Sequence, residues 1–308
     1  MKAIMYHYVR EYKSDLPKFR FLDIKNFRKQ LDYFEEQYGF VSRKDWDLVI
    51  KKRNLDSVGG KVILTFDDSL SCHFDYVFPE LKKRNLWGIF YVPTQPYINS
   101  KMLDVHKVHL LCGAFEGPLL LNALNDFLKE DMISNSKIKE FRNETYLKQS
   151  NYEGISEFKR TLNYFVNYEF RENLIDKVAS NVGYEFNSKD FYLSKNKLKE
   201  MCLYGNILGA HSVTHPVMSR LQHAEQKIQI KNSFSFLEDV VSQSHKTYCH
   251  PYGGAHSFNR DTVDILGTEQ VMYSFSVEPR DITNNDLELS YQCLPRFDCN
   301  EFPHGKAS

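Results

Sequence analysis

The chain has no surplus charge of either sign: 40 lysines and arginines stand against 40 aspartates and glutamates over 308 residues. Nucleic-acid-binding and membrane-surface proteins need a basic excess or stripe, so this balance argues against both. No apolar run approaches the roughly 18–20 residues of a membrane span. The opening Met1-Lys2-Ala3-Ile4-Met5-Tyr6-His7 has no apolar stretch of signal-peptide length and reads as a first strand. No Cys-x-x-Cys pair occurs among Cys72, Cys112, Cys202, Cys249, Cys293 and Cys299. Scattered cysteines in a chain too large to need stapling read as reduced thiols. Together these absences set the expectation of a cytoplasmic protein without a transmembrane segment. Repeats, low-complexity tracts and a Gly-rich phosphate loop are also missing.

What is present is ordinary globular material. Hydrophobic residues make up 42% and charged residues 26%, enough for a large core. The length admits two domains or a single α/β barrel. Short β-rich runs alternate with helical patterns over the first ~110 residues. Ala3–Tyr6, Val62–Phe66 and Gly88–Val92 read as strands, the second ended by Asp67-Asp68 and the third by Pro93. Phe27, Leu31 and Phe34 mark one face of a helix. From about Gly117 to Gly183 the pattern is almost wholly helical, which predicts an insertion at about 110–192 within one barrel domain spanning 1–308. Alternation then resumes, with a short helix beginning near Ser194, a strand Ile207–Ala210, a long helix about His223–Ser242 and a strand Thr247–Cys249. Strand–helix–strand units of this length point to a parallel sheet, as a barrel or a doubly wound fold.

Three strand ends carry the polar chemistry: Asp67-Asp68, His211-Ser212-Val213-Thr214-His215-Pro216, and Cys249-His250-Pro251-Tyr252-Gly253. In a parallel barrel such ends converge on one face. Two imidazoles and one carboxylate leave coordination positions open, as a catalytic metal requires. Zinc suits these ligands, and iron, cobalt or nickel fit as well. Of two adjacent aspartates, one can bind the metal while the other accepts a proton from activated water. Taken singly, an Asp-Asp pair also reads as a turn or helix cap, and His-x-x-x-His as a core or surface pair.

Thr65-Phe66-Asp67-Asp68-Ser69 resembles the Thr-Phe-Asp-Asp-Gly motif of the polysaccharide deacetylases, carbohydrate esterase family 4 with its NodB homology domain. His211 to Pro216 is similar to that family's His-(Ser/Thr)-x-x-His-Pro motif, and Tyr248 to Gly253 resembles its Arg-x-Pro-Tyr-Gly motif. The likeness spans roughly 60–95 and 193–300, more weakly 1–50. It implies a distorted (β/α) barrel, a divalent metal (usually zinc), and hydrolysis of an N-acetyl group on a sugar. By position, Asp67 is implied as general base, Asp68, His211 and His215 as metal ligands, and the Tyr252 backbone N–H as an oxyanion donor. His109, His250, Pro251 and Gly253 are expected to line the substrate. The substrate is expected to be an N-acetylated sugar, a nucleotide sugar or a lipid-linked glycan, such as a capsule or lipopolysaccharide precursor.

The sequence departs from the family at two motif positions. Ser69 replaces a glycine, and Cys249 stands where the third motif has the arginine that orients the catalytic aspartate. Arg296, in Leu294-Pro295-Arg296-Phe297-Asp298, is the candidate to supply the missing guanidinium, the alternative being a surface arginine below the barrel. No clean match to the family's late histidine acid exists. His106, His250, His256 and His304 are candidates, and Asp104–His109 is expected as a loop over the site with His106 as acid or substrate contact. His7, ending the first strand, is either a pocket-border residue or a rim histidine. Two other readings stay open: a metal-independent hydrolase of another C–N bond, and a non-catalytic carbohydrate-binding or scaffold protein of this fold.

Overall fold

A computed structural model describes residues 1–133, 138–147, 151–242 and 245–307. The chain divides into two compact units. The first comprises 1–11, 21–99 and 189–308, and the second 12–20 and 100–188.

Among the described residues there are nine strands: β1 Lys2–Tyr6, β2 Val9–Arg10, β3 Leu22–Asp23, β4 Val62–Phe66, β5 Ile89–Val92, β6 Ile207–Ala210, β7 Thr247–Cys249, β8 Tyr273–Phe275 and β9 Phe297–Asp298. All belong to the first unit. Seven form one parallel sheet in the order β8-β7-β6-β5-β4-β1-β9, while β2 and β3 pair with each other. The five residues of β4 and the four each of β5 and β6 are buried throughout. A strand covered on both faces reads as a continuous apolar run rather than an alternating one, and Val-Ile-Leu-Thr-Phe is such a run. Residues 294–298 join the sheet's edges. Leu294 bridges to Phe275 in β8, and Phe297 pairs with Ile4 in β1, so the sheet curls into a distorted barrel.

Helices cover the outer face because their apolar residues recur on one side. Ile24–Gln37 buries Ile24, Phe27, Leu31 and Phe34, is capped by Asp23 accepting from the Lys25 N–H, and packs into the core with Tyr6 and Phe66. Ser194 caps Lys195–Leu203 by accepting from Lys197 N–H, as its position ahead of an apolar pattern predicts. The long helix runs His223–Val240. Each fully buried aliphatic or aromatic side chain in this core contributes about 1.5–3 kcal/mol.

The second unit is helical, with its own core of Val108, Leu111, Leu120, Leu124, Phe158, Leu162, Leu174, Ile175 and Val178. It starts at Ser100 rather than near 110 and takes in 12–20, which the periodicity alone does not assign to it. Residues 134–137 and 148–150, within the expected insertion, lie outside the described residues. No helix among the described residues is long and apolar enough to cross a membrane.

Candidate metal and hydrolytic site

Parallel strands deliver their C-terminal ends to one face. β1 leads into His7, β4 into Asp67 and Asp68, and β6 into His211, while β7 ends in Cys249. The registers Tyr6↔Phe66 and Val92↔Ala210 keep these ends level. Asp67 and Asp68 are each 2% exposed, His211 1%, His215 5% and Arg296 0%, so the chemistry sits in a buried polar cluster.

The turns that aim these side chains are unusual in backbone conformation. Asp68 (φ 80°), Ser69 (φ 48°), Ser212 (φ 62°), His215 (φ 54°) and Tyr252 (φ 63°) all adopt positive φ without being glycine. Such conformations cost free energy and persist where surrounding structure fixes them, often at functional sites. Ser69 therefore occupies a position where a glycine would be at ease, which gives the family's glycine there a physical reason. Its hydroxyl accepts a hydrogen bond from Tyr97 at 3.0 Å, a contact glycine lacks. Gly253 (φ 70°) is required outright, since a Cβ would lie 2.3 Å from Val277 Cγ2.

Asp68, His211 and His215 each offer one donor atom, all within 4.8 Å of one another. His211 Nδ1–H donates to the Cys249 carbonyl at 2.8 Å, which leaves Nε2 unprotonated and facing Asp68 Oδ1 at 3.6 Å. His215 Nε2 lies 3.8 Å from the same oxygen. An imidazole lone pair held against a carboxylate, with no proton between, is an arrangement a cation relieves. Metal–ligand bonds of about 2.0–2.2 Å place tetrahedral ligands about 3.4 Å apart, close to these separations. Burial pulls the His211 pKa below the usual histidine value despite the opposing carboxylates Asp67 and Asp68, which favours the neutral form a ligand needs. The residues present therefore fit a divalent cation. Asp67, His211 and Cys249 also cluster, but Arg296 already occupies that side, and burial pushes the Cys249 thiol well above its ordinary value.

Arg296 lies just ahead of β9, in the segment 294–298 that joins the barrel's edges. Its Nη1 and Nη2 donate to Asp67 Oδ1 and Oδ2, both at 2.9 Å, and Nη1 also reaches Thr65 Oγ1 at 3.0 Å. Nε donates to the Ser276 carbonyl at 3.1 Å. Cys249 completes the triangle: its Sγ accepts from Arg296 Nη2 at 2.9 Å and donates to Asp67 Oδ2 at 3.5 Å. Burial opposes the Asp67 charge, but Arg296, then His211, outweigh it and hold the carboxyl below the usual carboxylate range. The guanidinium missing from the third motif thus reaches Asp67 from another segment, just ahead of β9.

His7 is half-exposed, with Nε2 4.0 Å from Asp67 Oδ2 and 3.9 Å from Asp68 Oδ2. Its carbonyl accepts from His73 Nε2 at 2.7 Å. His73 is wholly enclosed by the core, touches the rings of Phe66 and Phe90, and burial lowers its pKa to about 4. Nothing in the local sequence marks His73; its partner is 66 residues away. Tyr252 packs its ring on His215 at 4.9 Å.

Other expected site residues fall elsewhere. Asp104–Ala114 is a helix of the second unit, not a loop. His106 on it is fully buried, its ring 6.0 Å from that of His109. His250 stacks on Phe258 at 3.9 Å and donates from Nε2 to the Gln292 carbonyl at 2.8 Å. It is 1% exposed, and its hydrogen bond ties the β7 turn to Gln292. Pro251 and Gly253 are buried in the same turn. His256 and His304 are not among the donor clusters.

The fold and site define a β/α-barrel protein with a His₂-Asp donor set that could hold a metal ion, beside an arginine-paired aspartate. A family model described as polysaccharide deacetylase matches residues 163–272, which include His211 and His215. No curated protein sequence matches the chain. Three solved structures share the fold. The Streptococcus pyogenes deacetylase PplD, in complex with acetate, is 15% identical with TM-score 0.59, the match covering 97% of this chain and 91% of that one. IcaB from Ammonifex degensii is 16% identical, TM-score 0.53, covering 96% and 90%. A de-N-acetylase from Aggregatibacter actinomycetemcomitans is 13% identical, TM-score 0.51, covering 96% and 93%.

Proposed function

We propose that the chain is a metal-dependent hydrolase that removes the acetyl group from an N-acetylated sugar. The observation that carries this reading is the pairing of two sets at one barrel end: the Asp68–His211–His215 donors and an Asp67 held by Arg296. A divalent ion, with zinc first and cobalt, nickel or iron as alternatives, would be held by those three residues and would supply Lewis-acid polarisation of the acetamide carbonyl and acidification of water.

The chain's own residues divide the remaining work. Asp67 stays ionised beside Arg296, and each of its oxygens keeps a lone pair free of the guanidinium, so it accepts the proton of the attacking water. The Tyr252 backbone N–H, aimed by the left-handed turn at 252–253, donates to the developing oxyanion. His7 passes a proton to the departing nitrogen, being the half-exposed imidazole nearest both carboxylates. The C–N bond breaks, and acetate and a free amino sugar leave. The similar PplD structure holds acetate, a product of that kind. Arg296 removes the chief reason for a non-catalytic reading, the missing third-motif arginine, and the donor set speaks against a metal-free hydrolase.

The test is elemental analysis of protein purified without chelator or metal-affinity resin, with acetate release measured from N-acetylated sugars. Near-stoichiometric metal, lost in Asp68→Ala together with acetate release, supports the reading. Metal-free protein that stays inactive after adding zinc sinks it.

A further inference from the structure

The reaction just described leaves His73 unused, although it is wholly enclosed and lies on the segment that carries both aspartates. Two barrel strands brace its ring. It meets Phe66 of β4 at 5.7 Å and Phe90 of β5 at 5.8 Å, and those two rings stack on each other at 4.7 Å. His73–Val77 winds as a π-helix ahead of the α-helix Phe78–Lys83, a rare winding that is frequent at functional sites. His73 Nε2 lies 2.7 Å from the His7 carbonyl. A carbonyl only accepts, so Nε2 carries the proton and Nδ1 is bare. That Nδ1 is buried and has no hydrogen-bond partner among the described residues. A phenyl ring would fill the same space without burying a bare nitrogen. What the imidazole has and a phenyl lacks is the N–H aimed at His7. Burial lowers its pKa to about 4, which keeps the ring neutral and the donor in place near pH 7.

His7 is where the chain passes from one sheet to the other. β1 pairs with β4 as far as Tyr6↔Phe66, and the Asp67 N–H reaches the Tyr6 carbonyl at 2.9 Å. β2 then pairs with β3 from Val9 onward. The His7 peptide belongs to neither ladder, and its carbonyl takes a donor from a side chain instead. The His7 ring stands 4.0 Å from Asp67 Oδ2 and 3.9 Å from Asp68 Oδ2. Both separations exceed hydrogen-bond length, so the place of that ring is set through its backbone.

We propose that His73 is a positioning residue: its buried Nε2–H holds the His7 carbonyl and thereby fixes the His7 imidazole against Asp67 and Asp68. The proposal rests on the deacetylase reading for the role of His7 as proton donor, but its exchange test does not. Two variants of the full chain separate the hydrogen bond from the packing. His73→Phe keeps a ring between Phe66 and Phe90 and removes the donor. His73→Gln returns an N–H the same number of bonds from the backbone. In acetate release from N-acetylated sugars, His73→Phe is expected to lower kcat about tenfold with KM little changed, the scale of a displaced reacting group, and His73→Gln to recover most of it. His7→Ala and His7→Ala/His73→Phe should be equally slow, because a residue acting through His7 has nothing left to position. Hydrogen exchange of the segment 7–10 is expected to quicken about tenfold in His73→Phe and to return to the wild-type rate in His73→Gln. A His73→Phe variant with wild-type kcat, no recovery in His73→Gln, or a double variant slower than His7→Ala by the full tenfold overturns the positioning role. So does unchanged exchange at 7–10, whatever the activity. A wild-type chain that releases no acetate overturns the deacetylase reading instead, and faster exchange restored by glutamine then still supports the hold on His7.

Discussion

Arg296 and Asp67, 229 residues apart in the chain, meet in a two-pronged ion pair with both N–O distances at 2.9 Å and neither side chain more than 2% exposed. This pair orients the proposed base and neutralises it. Removing the arginine alone leaves a buried carboxylate uncompensated, at a cost of about 3–5 kcal/mol. Arg296→Ala is therefore expected to lower the melting temperature and reduce kcat at least about 100-fold, the scale of a misdirected general base. Arg296→Lys should not rescue it, because an ammonium lacks the planar fork. Wild-type acetate release from Arg296→Ala would refute the role.

Cys249 gives a sharper test of the same relationship. Its sulfur lies on both Arg296 and Asp67, where the family motif carries the arginine. Introducing Cys249→Arg into the Arg296→Ala background is expected to recover part of the lost kcat by bringing a guanidinium to Asp67 from β7. Two guanidinium groups in the otherwise wild-type chain should instead destabilise it through unpaired buried charge. Steady-state kinetics and thermal melts of the four proteins decide this.

His7 is expected to act in turnover more than in folding, because its half-exposed ring lies at the site's edge. His7→Ala should lower kcat by about 10²-fold or more with a melting temperature near wild type. A kcat within a factor of a few of wild type would remove it from the mechanism. His106→Ala is the contrasting control: the residue is buried in a helix of the second unit, so stability rather than kcat is the expected readout.

At Gly253 the backbone and the packing both exclude a side chain. Gly253→Ala is expected to force Val277 aside and tilt the Tyr252 N–H, lowering stability by about 1–3 kcal/mol together with kcat. An Ala variant with unchanged kcat and unchanged melting point would show the turn to be dispensable.

Away from the site, Asp286 offers a test of charge in the fold. Hydrogen bonds from Arg280 hold its carboxyl down to about 2, against the opposing effect of burial, with Thr283 adding a backbone donor. A depressed carboxylate pKa means stability that is fully present above the unfolded value of about 3.9 and lost as pH falls toward 2. Asp286→Asn keeps the cap geometry but not the charge. It should melt a few degrees below wild type at pH 7, and the gap should close between about pH 4 and pH 2. A gap independent of pH would mean the charge contributes nothing.

Much of this architecture was legible in the sequence, and the reason is locality. Val62–Phe66 is apolar at every position because both its faces are covered, and a run of that kind followed by Asp67-Asp68 announces a strand end bearing carboxylates. His211 and His215 follow β6 in the same way, so the residues that the structure brings within 4.8 Å of Asp68 could be named before any contact was known. Ser194 could be read as a cap because its partner is three residues on. Arg296 was nameable only as a lone arginine in a strand-like stretch. That it reaches Asp67, with residues 294–298 bonded to β8 on one side and β1 on the other, follows from barrel closure, which no local pattern encodes. The same holds for His250 and His106. Their residue type suits catalysis, but only the structure shows that His250 is buried against Phe258 and His106 within a helix. The sequence by itself determined which side chains end the strands, since polarity and periodicity are properties of neighbours in the chain. Only the tertiary structure decided which of them meet, because the ion pair, the aromatic contacts and the positive-φ turns are fixed by packing between segments that the chain keeps far apart.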